Sequence, residues 1–136
     1  MKYLIIVSLA LISCCQTKQI LNSQEKKYFV ERIEILDDWN IIYLSYNKSM
    51  YKVISKKEKN MRCEEELEIH KSYNFSLNSS IPKTIEINGE IIQRTNYLEV
   101  TCYYYDQKTK ICLEPENGIY DLYYAENLKG LCINNS

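Results

Sequence analysis

The chain opens with an uncharged apolar run over residues 3–12, behind a single positive charge at Lys2. Cys14 and Cys15 follow. Residues 16–27 then turn polar, rich in Gln, Lys, Asn and Ser, with only Ile20 and Leu21 to pack. From Tyr28 the pattern becomes short stretches of alternating apolar and polar positions, the period of a half-buried strand. Residues 28–35, 39–46 and 50–55 are separated by Asp37-Asp38 and Asn47-Lys48-Ser49, residues suited to turns, and predict a three-strand meander. After a charged loop at 56–60, Leu67 and Ile69, then Tyr73, Phe75 and Leu77, alternate on either side of His70-Lys71-Ser72. Asn88-Gly89 between β-formers in 85–92 is a strong two-residue hairpin signal. Leu98, Val100, Cys102 and Tyr104 alternate with Glu99, Thr101 and Tyr103, a further strand. Near the end, Ile119, Leu122, Tyr123, Ala125 and Leu128 fall close to helical spacing. Asn117 as N-cap and Gly130 as stop complete a short helix within 117–129.

About seven strands and one late helix make a mainly β fold: a small antiparallel barrel or sandwich with one short C-terminal helix. At 136 residues the chain holds one domain. Its division is 1–13 as a signal peptide, 14–27 as a tether and 28–136 as a single β domain. The meander followed by short strands is similar to an OB-like barrel, an analogy of form that predicts no ligand.

Charge narrows the partners. Seventeen basic and eighteen acidic side chains leave a net charge of -1, so no basic field collects the phosphates of a nucleic acid. Three Gly are too few for a Gly-rich phosphate-binding fold, and the single His leaves little for metal or acid–base chemistry.

Lys2, the apolar run and Leu11-Ile12-Ser13-Cys14 resemble the signal and lipobox of bacterial lipoproteins. The resemblance covers the first 14 residues. It implies that the Cys14 thiol takes a diacylglycerol thioether, that cleavage falls between Ser13 and Cys14, and that the new amino group is acylated. Two or three acyl chains make a stable anchor. The apolar run is well short of the roughly 20 residues of a membrane-spanning helix. Cys15 stands where an Asp would mark retention at the inner membrane, which implies the outer membrane where the cell has one. The alternative is ordinary cleavage after Ser8-Leu9-Ala10, giving a plain secreted product.

Beyond Cys14 and Cys15, four cysteines remain: Cys63, Cys102, Cys112 and Cys132. An even number in a small exported domain reads as two disulfides. The spacing fits neither zinc nor a thioredoxin-type site, since C-x-x-C and its relatives are absent from the domain. Of the three connectivities, Cys112 with Cys132 would fasten both ends of the predicted helix, leaving Cys63 with Cys102. The rival pairs Cys102 with Cys112 across a hairpin around residues 106–110.

Candidate chemistry is sparse. His70 is the one candidate base by residue type, but it sits in an apparent turn without a motif that ties a nucleophile to it. Asp37-Asp38 and Glu64-Glu65-Glu66 read as solvated acidic surface, because adjacent carboxylates on a strand point apart. Asn-x-Ser at Asn47, Asn74, Asn78 and Asn134 carries no weight if the chain is bacterial, as the lipobox resemblance implies. Thirteen Tyr are the compositional excess. Tyr103, Tyr105, Tyr120 and Tyr124 make a candidate binding face for a protein or glycan, each offering rigid area with a polar tip. No cofactor, no metal and no catalytic set is expected. The expectation is a lipid-anchored envelope protein with a non-enzymatic binding or structural role. The alternative is an inhibitor or immunity lipoprotein acting on a secreted hydrolase, followed by a plain secreted protein or an enzyme without a recognisable motif.

Overall fold

A computed structural model of the chain describes residues 25–81, 84–93 and 101–134. The apolar leader, Cys14, the tether up to residue 24, Leu98 and Val100 lie outside the described residues. In chain order the strands are β1 (Lys27–Leu36), β2 (Trp39–Tyr46), β3 (Ser49–Lys56), β4 (Glu65–Glu66), β5 (Ser72–Asn74) and β6 (Leu77–Ser79). They continue with β7 (Thr84–Ile87), β8 (Glu90–Gln93), β9 (Cys102–Tyr104), β10 (Lys110–Cys112), β11 (Leu122–Ala125), β12 (Leu128–Lys129) and β13 (Cys132–Ile133). The protein is mainly β.

The meander is formed as its pattern predicts. β1, β2 and β3 pair antiparallel through tight two-residue turns. Asn47 and Lys48 both take positive φ, as do Asn88 and Gly89 between β7 and β8, which matches the right-handed twist of a hairpin. Glu31 is an extra residue in β1: Val30 faces Leu44, yet Arg32 faces Tyr43. This bulge lets Tyr28 and Val30 share one face with Ile33, although even and odd positions should alternate.

The meander is the middle of a six-stranded sheet ordered β5-β1-β2-β3-β11-β6, with β11 parallel to β3. No sheet closes into a barrel among the described residues, so the expected OB-like closure is absent. Instead the open sheet is covered on both faces. Val30, Ile42, Leu44 and Val53 pack on one side with Leu67, Phe75, Leu128 and Ile133. Ile41, Tyr43, Ile54 and Leu122 pack on the other with Ile81, Ile111 and Ile119. Each such side chain contributes roughly 1.5–3 kcal/mol on burial, which is why the run Ile41-Ile42-Tyr43-Leu44 is apolar throughout.

The predicted helix within 117–129 is not formed. A short 3-10 turn, Pro115–Asn117, is followed by β11 and the β12–β13 hairpin. β11 lies inside the sheet with both faces covered, so apolar residues occur on consecutive positions and imitate helical spacing. Asn117 ends the 3-10 turn rather than capping a helix, and Gly130 supplies positive φ between β12 and β13.

The cysteines form two disulfides, but not in the preferred pairing. Cys63 is bonded to Cys132, and Cys102 to Cys112. Cys102 and Cys112 stand directly opposite each other on β9 and β10. β13 pairs with β4, placing Cys132 across from Glu66, within reach of Cys63. The preference for Cys112–Cys132 fails with the helix that motivated it. Each bridge staples one of the two layers that cover the sheet.

Candidate functional site

The densest polar cluster sits between the second face of the sheet and the segment that covers it. Beyond β10, the Leu113 amide donates to the Thr101 carbonyl at 2.6 Å. Glu114 and Ile119 exchange both backbone hydrogen bonds at 3.0 Å, closing a small loop around the 3-10 turn. This geometry aims the Glu114 carboxylate at the sheet. Its Oε1 accepts from Lys52 Nζ at 2.5 Å and from the Tyr43 hydroxyl at 2.6 Å, and its Oε2 accepts from Asn117 Nδ2 at 3.0 Å. Lys52 Nζ also donates to the Cys112 carbonyl at 2.8 Å, and its side chain is only 7% exposed.

Arg32 completes the group. Its guanidinium lies 3.5 Å from the centre of the Tyr43 ring, and Nε donates to Glu34 at 2.8 Å. Burial by itself would raise the Glu114 carboxyl, but the Lys52 ammonium and the Tyr43 and Asn117 donors overcome it and hold the group down at about 2. Burial, then the bonded Glu114, push the Tyr43 phenol well above its usual value. The phenol is therefore a fixed donor and Glu114 a fixed anion, a combination suited to clamping the cover onto the sheet.

A second polar set joins the β1–β2 turn to the loop after β9. Trp39 Nε1 donates to Asp106 at 2.7 Å, and Thr109 Oγ1 donates to Asp37 at 3.0 Å. The Trp39 indole first, and then the Lys108 amide, hold the Asp106 carboxyl far below the usual range. Beside the Cys63–Cys132 bridge lies an open cleft of about 700 Å³. Lys56, Lys57 and Lys59 line it together with Asp38, Glu58 and Glu66.

The candidate tyrosines divide. Tyr103 and Tyr105 are half-buried against the second core, with Tyr105 edge-on to Trp39 at 5.3 Å and its hydroxyl bonded to Ser80. Tyr120 and Tyr124 are 68% and 46% exposed, and Tyr104, not among the candidates, is 70% exposed. His70 is exposed at positive φ, its ring stacked on Phe29 at 6.2 Å. Asp37 is engaged by Thr109, and Glu64, Glu65 and Glu66 are exposed at β4. Among the described residues no three His, Cys, Asp or Glu converge as a metal site. Cys14 lies outside them.

Sequence reasoning missed Lys52, Glu114 and Tyr43, and also three tyrosines around the Lys26 ammonium: Tyr28, Tyr46 and Tyr51. For the latter the available signal was register. Tyr46 closes the β2–β3 turn opposite Ser49, Tyr51 lies two residues beyond Ser49, and Tyr28 falls one step beyond the Phe29–Ser45 pair. Comparison with protein-family models, with curated proteins and with solved structures finds no match.

Proposed function

We propose that the chain is an exported bacterial envelope protein, anchored by acyl chains on Cys14, whose β domain binds a protein or glycan partner. The observation that carries the export half is the pairing of Cys63 with Cys132 and Cys102 with Cys112, which leaves no free thiol among the described residues. Such pairing persists in oxidising compartments. The lipobox-like Leu11-Ile12-Ser13-Cys14 supports the anchor, and exposed Tyr104, Tyr120 and Tyr124 support a binding role.

The test is metabolic labelling with palmitate and fractionation of cells expressing the wild type or Cys14→Ala. Label and membrane association that vanish in Cys14→Ala support the proposal. Unchanged processing in Cys14→Ala, lost instead when Ser8 and Ala10 are replaced, would overturn it in favour of plain secretion.

The inhibitor reading has one observation of its own. Ile35 is 68% exposed and Leu36 40% exposed at the end of the β1–β2 hairpin, an apolar pair available to a cleft. On that reading Leu36→Asp releases a captured hydrolase while the domain stays folded.

A further inference from the structure

Tyr28, Tyr46 and Tyr51 stand around a single point. Lys26 Nζ lies 4.8, 4.7 and 5.3 Å from their ring centres. The rings are held by the fold rather than by the lysine. Tyr28 sits edge-on to Tyr51 at 5.2 Å and tilted against Tyr46 at 5.5 Å. Phe75 backs Tyr28 at 6.1 Å, and Tyr123 backs Tyr51 at 5.6 Å. All belong to the first core or its rim. The cluster is thus preorganised, and Lys26, an exposed residue, stands over it.

Three electron-rich faces directed at one point attract a cation. Among the described residues, no carboxylate lies within 4.0 Å of the Lys26 ammonium, so its surroundings are the three rings and the Tyr28 and Tyr51 hydroxyls. A primary ammonium fits such a cluster imperfectly. Its three N–H donors meet two phenol oxygens here, those of Tyr28 and Tyr51, and the ring faces supply none. A trimethylammonium group has no donors, carries its charge on methyl surfaces and loses little hydration on entry.

We propose that Tyr28, Tyr46 and Tyr51 form an aromatic cage for a trimethylammonium group, and that Lys26 occupies it as a tethered stand-in. The ligand class is a small choline-type cation, either free in solution or carried as a lipid headgroup. Because Lys26 enters from the residue before β1, occupation of the cage by ligand releases that end of the tether. The site is independent of lipidation at Cys14.

Calorimetric titration of the full chain with choline chloride tests the site. Lys26→Ala removes the internal competitor and tightens choline binding at least about tenfold over wild type, since a tethered group competes at millimolar effective concentration. Adding Tyr46→Leu to Lys26→Ala weakens binding by about tenfold, whereas adding Tyr46→Phe retains it. The neutral analogue 3,3-dimethylbutanol binds far more weakly than choline. Vesicles of phosphatidylcholine against phosphatidylglycerol, comparing Lys26→Ala with Lys26→Ala/Tyr46→Leu, separate the two sources. Ring-dependent binding only to phosphatidylcholine vesicles assigns a headgroup, and ring-dependent binding only to free choline assigns a solute. Absence of ring-dependent binding in both arms by a folded Lys26→Ala chain, or equal binding of the neutral analogue, would overturn the proposal.

Discussion

Removing the Glu114 carboxylate strands the Lys52 ammonium beneath the cover of the sheet, with the Cys112 carbonyl as its remaining partner. An uncompensated buried charge costs several kcal/mol, so Glu114→Ala is expected to lower unfolding stability by about 3 kcal/mol in denaturant titration. Tyr43→Phe removes one donor and keeps the ring under Arg32, and costs about 1 kcal/mol. The pH dependence has a definite sign. Glu114 is held at about 2 in the fold against an ordinary value of 4.5, so its contribution is complete above 4.5 and is lost as pH falls towards 2. Thermal midpoints of wild type should fall more steeply across that window than those of Glu114→Gln. A flat difference between the two proteins would show that Glu114 does not carry the acid sensitivity. None of this was legible from residue types. Lys52 occupies the polar position of an alternating strand, and its face reads as solvated until residues 101–119 are known to lie over it.

At the scale of the element, the bulge makes a prediction that a simple alternation rule would reverse. Deleting Glu31 alone should leave Tyr28 and Val30 opposite their present partners and facing the same core, because the ladder merely becomes regular. The expected loss is about 1 kcal/mol, from the Ser45–Glu31 hydrogen bond. Deleting Glu31 together with Arg32 turns Tyr28 and Val30 to the opposite face and should cost about 3–5 kcal/mol. Thermal unfolding of the two deletion variants distinguishes them. The meander was legible because its turns carry Asp-Asp and Asn-Lys, and its strands are long enough to show their pattern. The three-residue gap between Val30 and Ile33 was the mark of the bulge. β11 was not legible as a strand. Leu122 faces one core and Tyr123 the other, so the alternation that identifies a one-sided strand is missing.

For the whole molecule, the two disulfides differ in what they constrain. Cys63–Cys132 spans a sequence separation of 69, and Cys102–Cys112 one of 10. Chain entropy assigns them about 4 and about 3 kcal/mol. Cys132→Ser should therefore lower the melting temperature more than Cys112→Ser, and adding Cys63→Ser to Cys132→Ser should change little further. Non-reducing peptide mapping checks the pairs directly. That the cysteines pair was legible from their number, but which pair was not, since partner choice depends on where β13 returns. A different consequence follows from the parallel pairing of β3 with β11. β1, β2 and β3 can zip together as soon as Lys56 has been synthesised, yet the outer edge of β3 then stays bare until Leu122–Ala125 arrives. An unpaired edge beside apolar side chains is a template for wrong partners. Non-local closure of this kind is also slow, on the order of milliseconds to seconds. The half-made chain is thus stickier than the finished one, and delay is what exposes it: its hairpins form early, but the sheet locks only when its late strand pairs with β3.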